Sequence, residues 1–361
     1  MKILYGVQGT GNGHISRANA ISDVLAGYPD VDVTWLLSGR KANPLFAVQG
    51  GRMFRRGLTF ATSQGQVSYT KTLVQNNLVT LSKDIYQLDL DEFDCVVTDY
   101  EPVVSWAAKL KGRRTIGIGH QYAFNYDVPL AGDNFLNRTL LRRFAPADIS
   151  IGLHWHHFDQ PLLPPICDIA SLSQATIIDH KVVVYLPFED QQSVIRSLMP
   201  LTHWEFYLYG PDLQDVDLGH IKTRVLSRDG FKKDLSEAGA VMTSSGFELI
   251  SECLSLGIKV LTKPVGQQVE QISNAAALEK LGYAEVVKKV ETENCRRWLE
   301  NQTSVTVTYP SVHRHIGEWL VSDRSESIES LSERLWSKVE VFRGPKPQSR
   351  KLPNLIQRRQ T

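Results

Sequence analysis

Val241-Met242-Thr243-Ser244-Ser245-Gly246-Phe247-Glu248-Leu249-Ile250-Ser251-Glu252 runs from an apolar strand, through two serines and a glycine, into an amphipathic helix. Serine hydroxyls and the free N–H groups of a helix start, here those of Phe247 and Glu248, suit a diphosphate without requiring a metal. Glu252 falls two turns into the helix on the face it shares with Glu248, because residues four apart align. A carboxylate placed there can accept both hydroxyls of a ribose. On its own the turn reads equally well as an ordinary serine-capped helix.

The next turn in the same sheet adds to it. Pro264-Val265-Gly266-Gln267-Gln268-Val269-Glu270-Gln271-Ile272-Ser273-Asn274-Ala275 follows a strand at Lys259 to Thr262. Amides and a carboxylate clustered at such a turn suit a ligand rich in hydroxyls, which is sugar chemistry.

Further out, strand patterns are expected at Lys181 to Leu186, Trp204 to Tyr209, Val225 to Leu226 and Ala240 to Thr243. Helical patterns cover Asp190 to Leu198, Phe247 to Leu256 and Val269 to Leu281. The first half repeats the scheme, with strands at Lys2 to Val7, Val31 to Leu37, Asp94 to Thr98, Thr115 to Ile118 and Asp148 to Leu153. Its helical patterns are His14 to Leu25, Thr70 to Leu88, Pro102 to Leu110 and Asn134 to Phe144. Alternation of this kind predicts parallel sheets with helices on both faces, an α/β fold. Between the halves, Phe158-Asp159-Gln160-Pro161-Leu162-Leu163-Pro164-Pro165 reads as an extended, proline-rich connector. The expected organisation is a first domain over 1–160, a linker over 161–170, a second domain over 171–342 and a basic tail over 343–361.

The first strand opens into Gly9-Thr10-Gly11-Asn12-Gly13-His14. Gly11, Asn12 and Gly13 let the backbone approach a ligand, and His14 at a cleft-facing helix start can accept a proton. The spacing departs from the dinucleotide fingerprint, whose sixth position is glycine. Thr98-Asp99-Tyr100-Glu101-Pro102 supplies two acids at the end of another strand, each of which reads as a catalyst or as a cap on the helix that begins at the proline. His154-Trp155-His156-His157 lacks the companions of a metal site and reads as cleft lining.

The 361 residues carry a formal net charge of +1, which argues against a protein built to coat nucleic acid. Four scattered cysteines without a CxxC point to a reducing cytoplasm. The opening residues lack a signal-peptide pattern, and no apolar run reaches the roughly 20 residues of a membrane span. Arg343, Lys346, Arg350, Lys351, Arg358 and Arg359 stand in the tail without an acid. That composition reads as a solvated tail, with anionic lipid as its alternative contact.

Strand–Ser-Gly–helix with a glutamate seven residues after Ser245, followed by Glu270-Gln271-x-x-Asn274-Ala275, resembles the donor half of the GT-B glycosyltransferases. The similarity is greatest to the MurG-like, lipid II synthase superfamily of the family 28 type. Gly9 to His14 resembles that group's glycine-rich loop, and Gly119-His120-Gln121 resembles its His-Glu-Gln-Asn turn. Thr98 to Pro102, Gly117 to Gln121 and Leu186 to Asp190 resemble a bacterial and archaeal branch. The resemblance implies two Rossmann-like domains facing across a cleft and transfer of a sugar from a nucleotide sugar, with UDP the expected nucleotide. It implies diphosphate contacts at Ser244, Ser245, Gly246 and the N–H groups after them, a ribose contact at Glu252, and a donor-sugar pair at Glu270 and Gln271. Phe231 is the expected wall for the base, and His120 and Gln121 are expected to touch substrate.

His14 is the first candidate for the base, then Asp99, with Glu101 beside it. Inversion, no metal and no cofactor are expected. The turn after Pro264 is one residue shorter than in lipid II synthases, so hexosyl and N-acetylhexosaminyl donors both stay open. The acceptor is open too; the basic tail leans toward a lipid-linked cell-envelope acceptor at the inner face of the membrane. A nucleotide-sugar 2-epimerase and a non-catalytic nucleotide-sugar-binding module are the alternatives.

Overall fold

The computed structural model describes all residues except 11, 40–45, 59–61, 64–65, 68–77, 133–134, 168, 170–174, 302 and 346–361. Gly11 and the basic residues after Pro345 therefore lie outside the described residues.

Six strands form the first sheet: β1 Lys2–Gln8, β2 Asp32–Ser38, β3 Gly51–Phe54, β4 Cys95–Asp99, β5 Thr115–Gly119 and β6 Ile149–Gly152. Their order is β3-β2-β1-β4-β5-β6 with every neighbouring pair parallel. Both β4 and β5 are buried along their whole length, which is why they appear in the sequence as continuous apolar runs. The short β3 was not expected; it is a largely exposed edge strand with little hydrophobic pattern. Helices α1 Asn12–Leu25, α2 Leu78–Gln87, α3 Pro102–Leu110 and α4 Phe135–Phe144 accompany this sheet. The order reverses between β1 and β4, so their carboxyl ends open a crevice where ligands of such sheets bind.

The second sheet holds β7 Ile178–Tyr185, β8 Glu205–Gly210, β9 Val216–Leu218, β10 Ile221–Val225, β11 Ala238–Thr243, β12 Lys259–Thr262 and β13 Glu285–Val286. It runs β9-β10-β8-β7-β11-β12-β13, parallel except for the edge strand β9. Its helices are α5 Gln191–Leu198, α6 Arg228–Glu237, α7 Phe247–Ser255 and α8 Val269–Leu281. Two Rossmann-like sheets thus face one another.

The last part of the chain was not anticipated. It folds as α9 Thr292–Glu300, α10 Val312–Val321, α11 Ile328–Trp336 and a hairpin of β14 Thr303–Thr308 with β15 Glu340–Pro345. Arg343 lies in β15 opposite Val305 and donates to the carbonyls of Leu281 and Gly282, so the expected tail starts as a paired strand. Helix α10 returns to pack on α1, where a Cβ on Gly317 would stand 2.5 Å from Val24.

The connector is also more tightly held than an extended linker. Leu162 and Leu163 are fully buried, and Leu163 exchanges backbone hydrogen bonds with Gly152 and His154. Ser332 and Trp336 of α11 both donate to the Leu162 carbonyl at 2.6 Å. One apolar core runs through both sheets, and Trp155 Nε1 crosses between them to Ser251 Oγ at 2.8 Å.

Candidate active site

At the carboxyl end of β4 the backbone makes a tight reversal. Tyr100 holds φ 54°, a conformation that a bulky residue adopts only when its surroundings impose it. Its ring packs on Tyr122 and Phe144, and its hydroxyl donates to Leu141 O at 2.7 Å. The reversal sends the two neighbouring acids in different directions.

Glu101 turns inward. It is fully buried and caps α3, accepting from Val103 N at 2.8 Å, Val104 N at 2.7 Å and Ser38 Oγ at 2.5 Å. Burial pushes its carboxyl up to about 7 against those three donors. The cap is its occupation, which removes Glu101 from the catalytic candidates.

Asp99 turns toward α1. His14 Nδ1 lies 2.8 Å from Asp99 Oδ1. Arg17, one turn further along α1, clamps the same carboxylate with Nε at 2.8 Å and Nη2 at 2.7 Å. Arg17 Nη2, a donor, also lies 2.9 Å from His14 Nδ1. Of these two neighbours only the carboxylate can accept, and with the Nδ1 proton directed at Asp99 the His14 Nε2 keeps its lone pair. Among the described residues Nε2 has no hydrogen-bond partner, and the His14 side chain keeps 11% of its surface exposed. Burial would raise the Asp99 carboxyl; Arg17 and His14 outweigh it and hold it below the ordinary range. Asp99 is 0% exposed, so it stands behind His14 and cannot itself meet an acceptor.

Across the cleft, α7 begins at Gly246 with no side-chain cap, and a Cβ built on Gly246 meets nothing within 4 Å. The space beside Gly246 at the start of α7 is therefore open. Ser245 does not share that opening: its hydroxyl pairs with Thr262 Oγ1 at 2.9 Å and its carbonyl accepts from Asn274 at 3.0 Å. Fully buried, it braces the turn against β12 instead of pointing at a ligand. Ser244 is largely buried as well.

Several expected ligand contacts join the two halves together. His120 is fully buried, with Nδ1 2.9 Å from Leu153 O and Nε2 2.7 Å from Asn274 Oδ1. Its ring stacks on Phe247 at 3.9 Å between centroids. Both rings are consumed by the interface, so neither His120 nor the Phe247 side chain is a substrate contact. Gln271 accepts from Val265 N at 3.0 Å and fixes the turn after β12, which leaves Glu270 without it in the expected sugar pair. Glu270 instead receives Gln121 Nε2 at 3.2 Å, and the Gln121 amide oxygen is buried with no hydrogen-bond partner among the described residues. Phe231 packs edge-on against Tyr185 and Tyr209 beneath α6. His154 sits buried among aromatic rings, held well below the ordinary histidine range by burial and His120. His156 and His157 stack beside Trp336.

Gly13, Ser16, Arg17 and Asn19 of α1 line a small cleft together with Ile166, Arg228, Lys232, Glu248 and Glu252. Glu248 lies over Gly13, where a Cβ would stand 2.2 Å from its carboxyl carbon, and it accepts from Arg17 Nη1. Of the residues singled out in the sequence, Gly13, Glu248 and Glu252 line this cleft, and His14 and Asp99 contact Arg17 in its wall; Arg17, Arg228 and Lys232 were not singled out. Arg17 had a signal, since i and i+3 share a helix face with His14. No group of three His, Cys, Asp or Glu side chains among the described residues is arranged to hold a metal. No helix among them is long and apolar enough to cross a membrane.

Comparisons with known proteins agree with this architecture. The glycosyltransferase of kitacinnamycin aligns over 94% of this chain and 99% of its own, with TM-score 0.57 and 14% identity. The glycosyltransferase SsfS6 of Streptomyces sp. SF2575, complexed with thymidine diphosphate, aligns over 93% of this chain and 99% of its own, with TM-score 0.57 and 11% identity. UGT89C1 of Arabidopsis thaliana, complexed with UDP, aligns over 93% of this chain and 94% of its own, with TM-score 0.51 and 14% identity. At such identities the likeness establishes the GT-B fold. No curated protein sequence matches the chain significantly. The model of glycosyl transferase family 1 matches residues 1–302, so the chain belongs to that family.

Proposed function

We propose that this glycosyltransferase moves a hexosyl or N-acetylhexosaminyl group from a UDP-sugar to an acceptor hydroxyl, inverting the anomeric centre without a metal. The observation that carries the reading is the start of α7 at Gly246, which has no side-chain cap, on a helix whose Glu248 reaches Arg17 beside His14 and its buried Asp99. The complexes of structural neighbours with UDP and thymidine diphosphate support a nucleotide donor.

The diphosphate would take the free N–H groups of α7, and Glu252 on the same cleft wall would take the ribose hydroxyls. Gln121 and Glu270 offer acceptor oxygens to the hydroxyls of the sugar. The acceptor oxygen attacks the anomeric carbon from the face opposite the diphosphate and gives its proton to His14 Nε2. The bond from the anomeric carbon to the phosphate oxygen breaks, its electron pair stays on that oxygen, and the nucleoside diphosphate leaves. A single displacement of this kind inverts the centre. Asp99 keeps the imidazole in the reactive tautomer and balances the imidazolium that forms. Arg17 already neutralises part of the Asp99 charge, so the task left to Asp99 is to orient the imidazole. The basic residues after Pro345 suit an acceptor carried on an anionic membrane face.

Incubation with UDP- and thymidine-diphosphate sugars, with and without a lipid extract as acceptor, tests the reading. Acceptor-dependent release of nucleoside diphosphate is expected. Conversion of the sugar without an acceptor would make the protein an epimerase, and binding without turnover would make it a binding module.

A further inference from the structure

Arg17 has more charge around it than the chemistry above uses. Its side chain is 2% exposed and lies between two carboxylates, Asp99 and Glu248. Asp99 is fully buried and grips two of its nitrogens. Glu248 holds only Nη1, keeps 31% of its side chain exposed and forms part of the cleft wall with Arg228 and Lys232. The two contacts are therefore unequal: one is sealed, the other opens onto the cavity.

Glu248 also comes from the first turn of α7, and its carboxylate lies on the bare backbone of Gly13 at the start of α1. Two helix starts and a guanidinium meet there, an arrangement that attracts an anion. A diphosphate seated before α7 would reach the same charges, and it would repel the Glu248 carboxylate.

We propose that Glu248 holds the anion position at Arg17, and that the donor's diphosphate displaces it from there. Arg17 is then the catalytic cation that meets the leaving group. As the anomeric bond breaks, its electron pair settles on the diphosphate, and Arg17 adds a fixed positive charge to the α7 dipoles. Its separate grip on Asp99 leaves His14 in register while Glu248 moves aside. The inference rests on the donor reading above but has its own test.

Calorimetry with inorganic pyrophosphate and with uridine diphosphate separates the two. Glu248→Gln is expected to bind both about tenfold more tightly, because a competing carboxylate is gone. Arg17→Gln is expected to weaken both by about tenfold or more, and to cancel the gain in the double variant. Should Arg17→Gln fail to fold, Arg17→Lys keeps a charge without the paired fork and is expected to lose binding less steeply. Unchanged or weaker binding by Glu248→Gln overturns the proposal while leaving the donor reading intact. Tighter pyrophosphate binding by Glu248→Gln with no gain for uridine diphosphate shows that Glu248 competes with a free anion, and overturns both its displacement by a nucleotide donor and the donor reading. Failure of the wild type to bind either ligand removes both.

Discussion

Two strand-to-helix turns face this cleft, and they treat their helix starts in opposite ways. After β4, Glu101 folds back and satisfies the first N–H groups of α3 with its own carboxylate. After β11, Gly246 brings no side chain, Ser245 turns into the sheet, and α7 starts without a side-chain cap. Both turns carry polar residues between an apolar strand and an amphipathic helix. The difference lies in whether the chain supplies its own cap, and an uncapped helix start is the one that suits an anion. Asp99, released from capping because Glu101 does it, is free to hold His14.

The largest effect is expected at the chemical side of the comparison. His14→Ala should lower turnover by about a thousandfold while leaving uridine diphosphate affinity within about twofold, checked by product release and calorimetry. Near-normal turnover would take His14 out of the mechanism. Closing the open turn comes next. Gly246→Asp gives α7 the cap it lacks, so the melting temperature should hold or rise while uridine diphosphate affinity falls by about thirtyfold. A variant that binds normally would break the contrast between the turns.

Opening the closed turn should cost stability and leave the nucleotide alone. Glu101→Ala strands two buried N–H groups and should lose about 2–4 kcal/mol in denaturant unfolding, with little change in diphosphate affinity. Glu252→Ala should weaken uridine diphosphate binding by about tenfold and inorganic pyrophosphate not at all, since only the former has a ribose. The smallest effect is one of pH. Glu101 has its folded value raised to about 7, above the unfolded carboxyl range, so its contribution is full at low pH and is lost as pH rises through that value. Glu101→Gln stays neutral, and its stability relative to wild type should increase between about pH 4.5 and 7.

The two turns also divide what was legible in the sequence. Strands such as β4 and β11 were readable because burial on both faces leaves unbroken apolar runs. The Ser-Ser-Gly turn was readable as a helix start, but the direction of Ser245 was not, because its partner Thr262 sits on another strand. The split between Asp99 and Glu101 stayed open for a similar reason. It depends on the Tyr100 backbone at φ 54°, which neighbouring tertiary contacts impose. Arg17 and Glu248 are 231 residues apart, and local spacing carries no record of such a pair. His120 and Phe247 looked like cleft residues at the ends of their strands and became interface, because the two halves press together there. The final helices escaped notice because their role is to pack back on α1 and on Leu162, which no local pattern announces.

A crystal structure with uridine diphosphate bound tests the central claim most directly. The account predicts phosphate oxygens within hydrogen-bonding distance of the Phe247 and Glu248 N–H groups, in the open space before Gly246, with Glu101 still capping α3. A nucleotide seated elsewhere, with the start of α7 left empty, would contradict it.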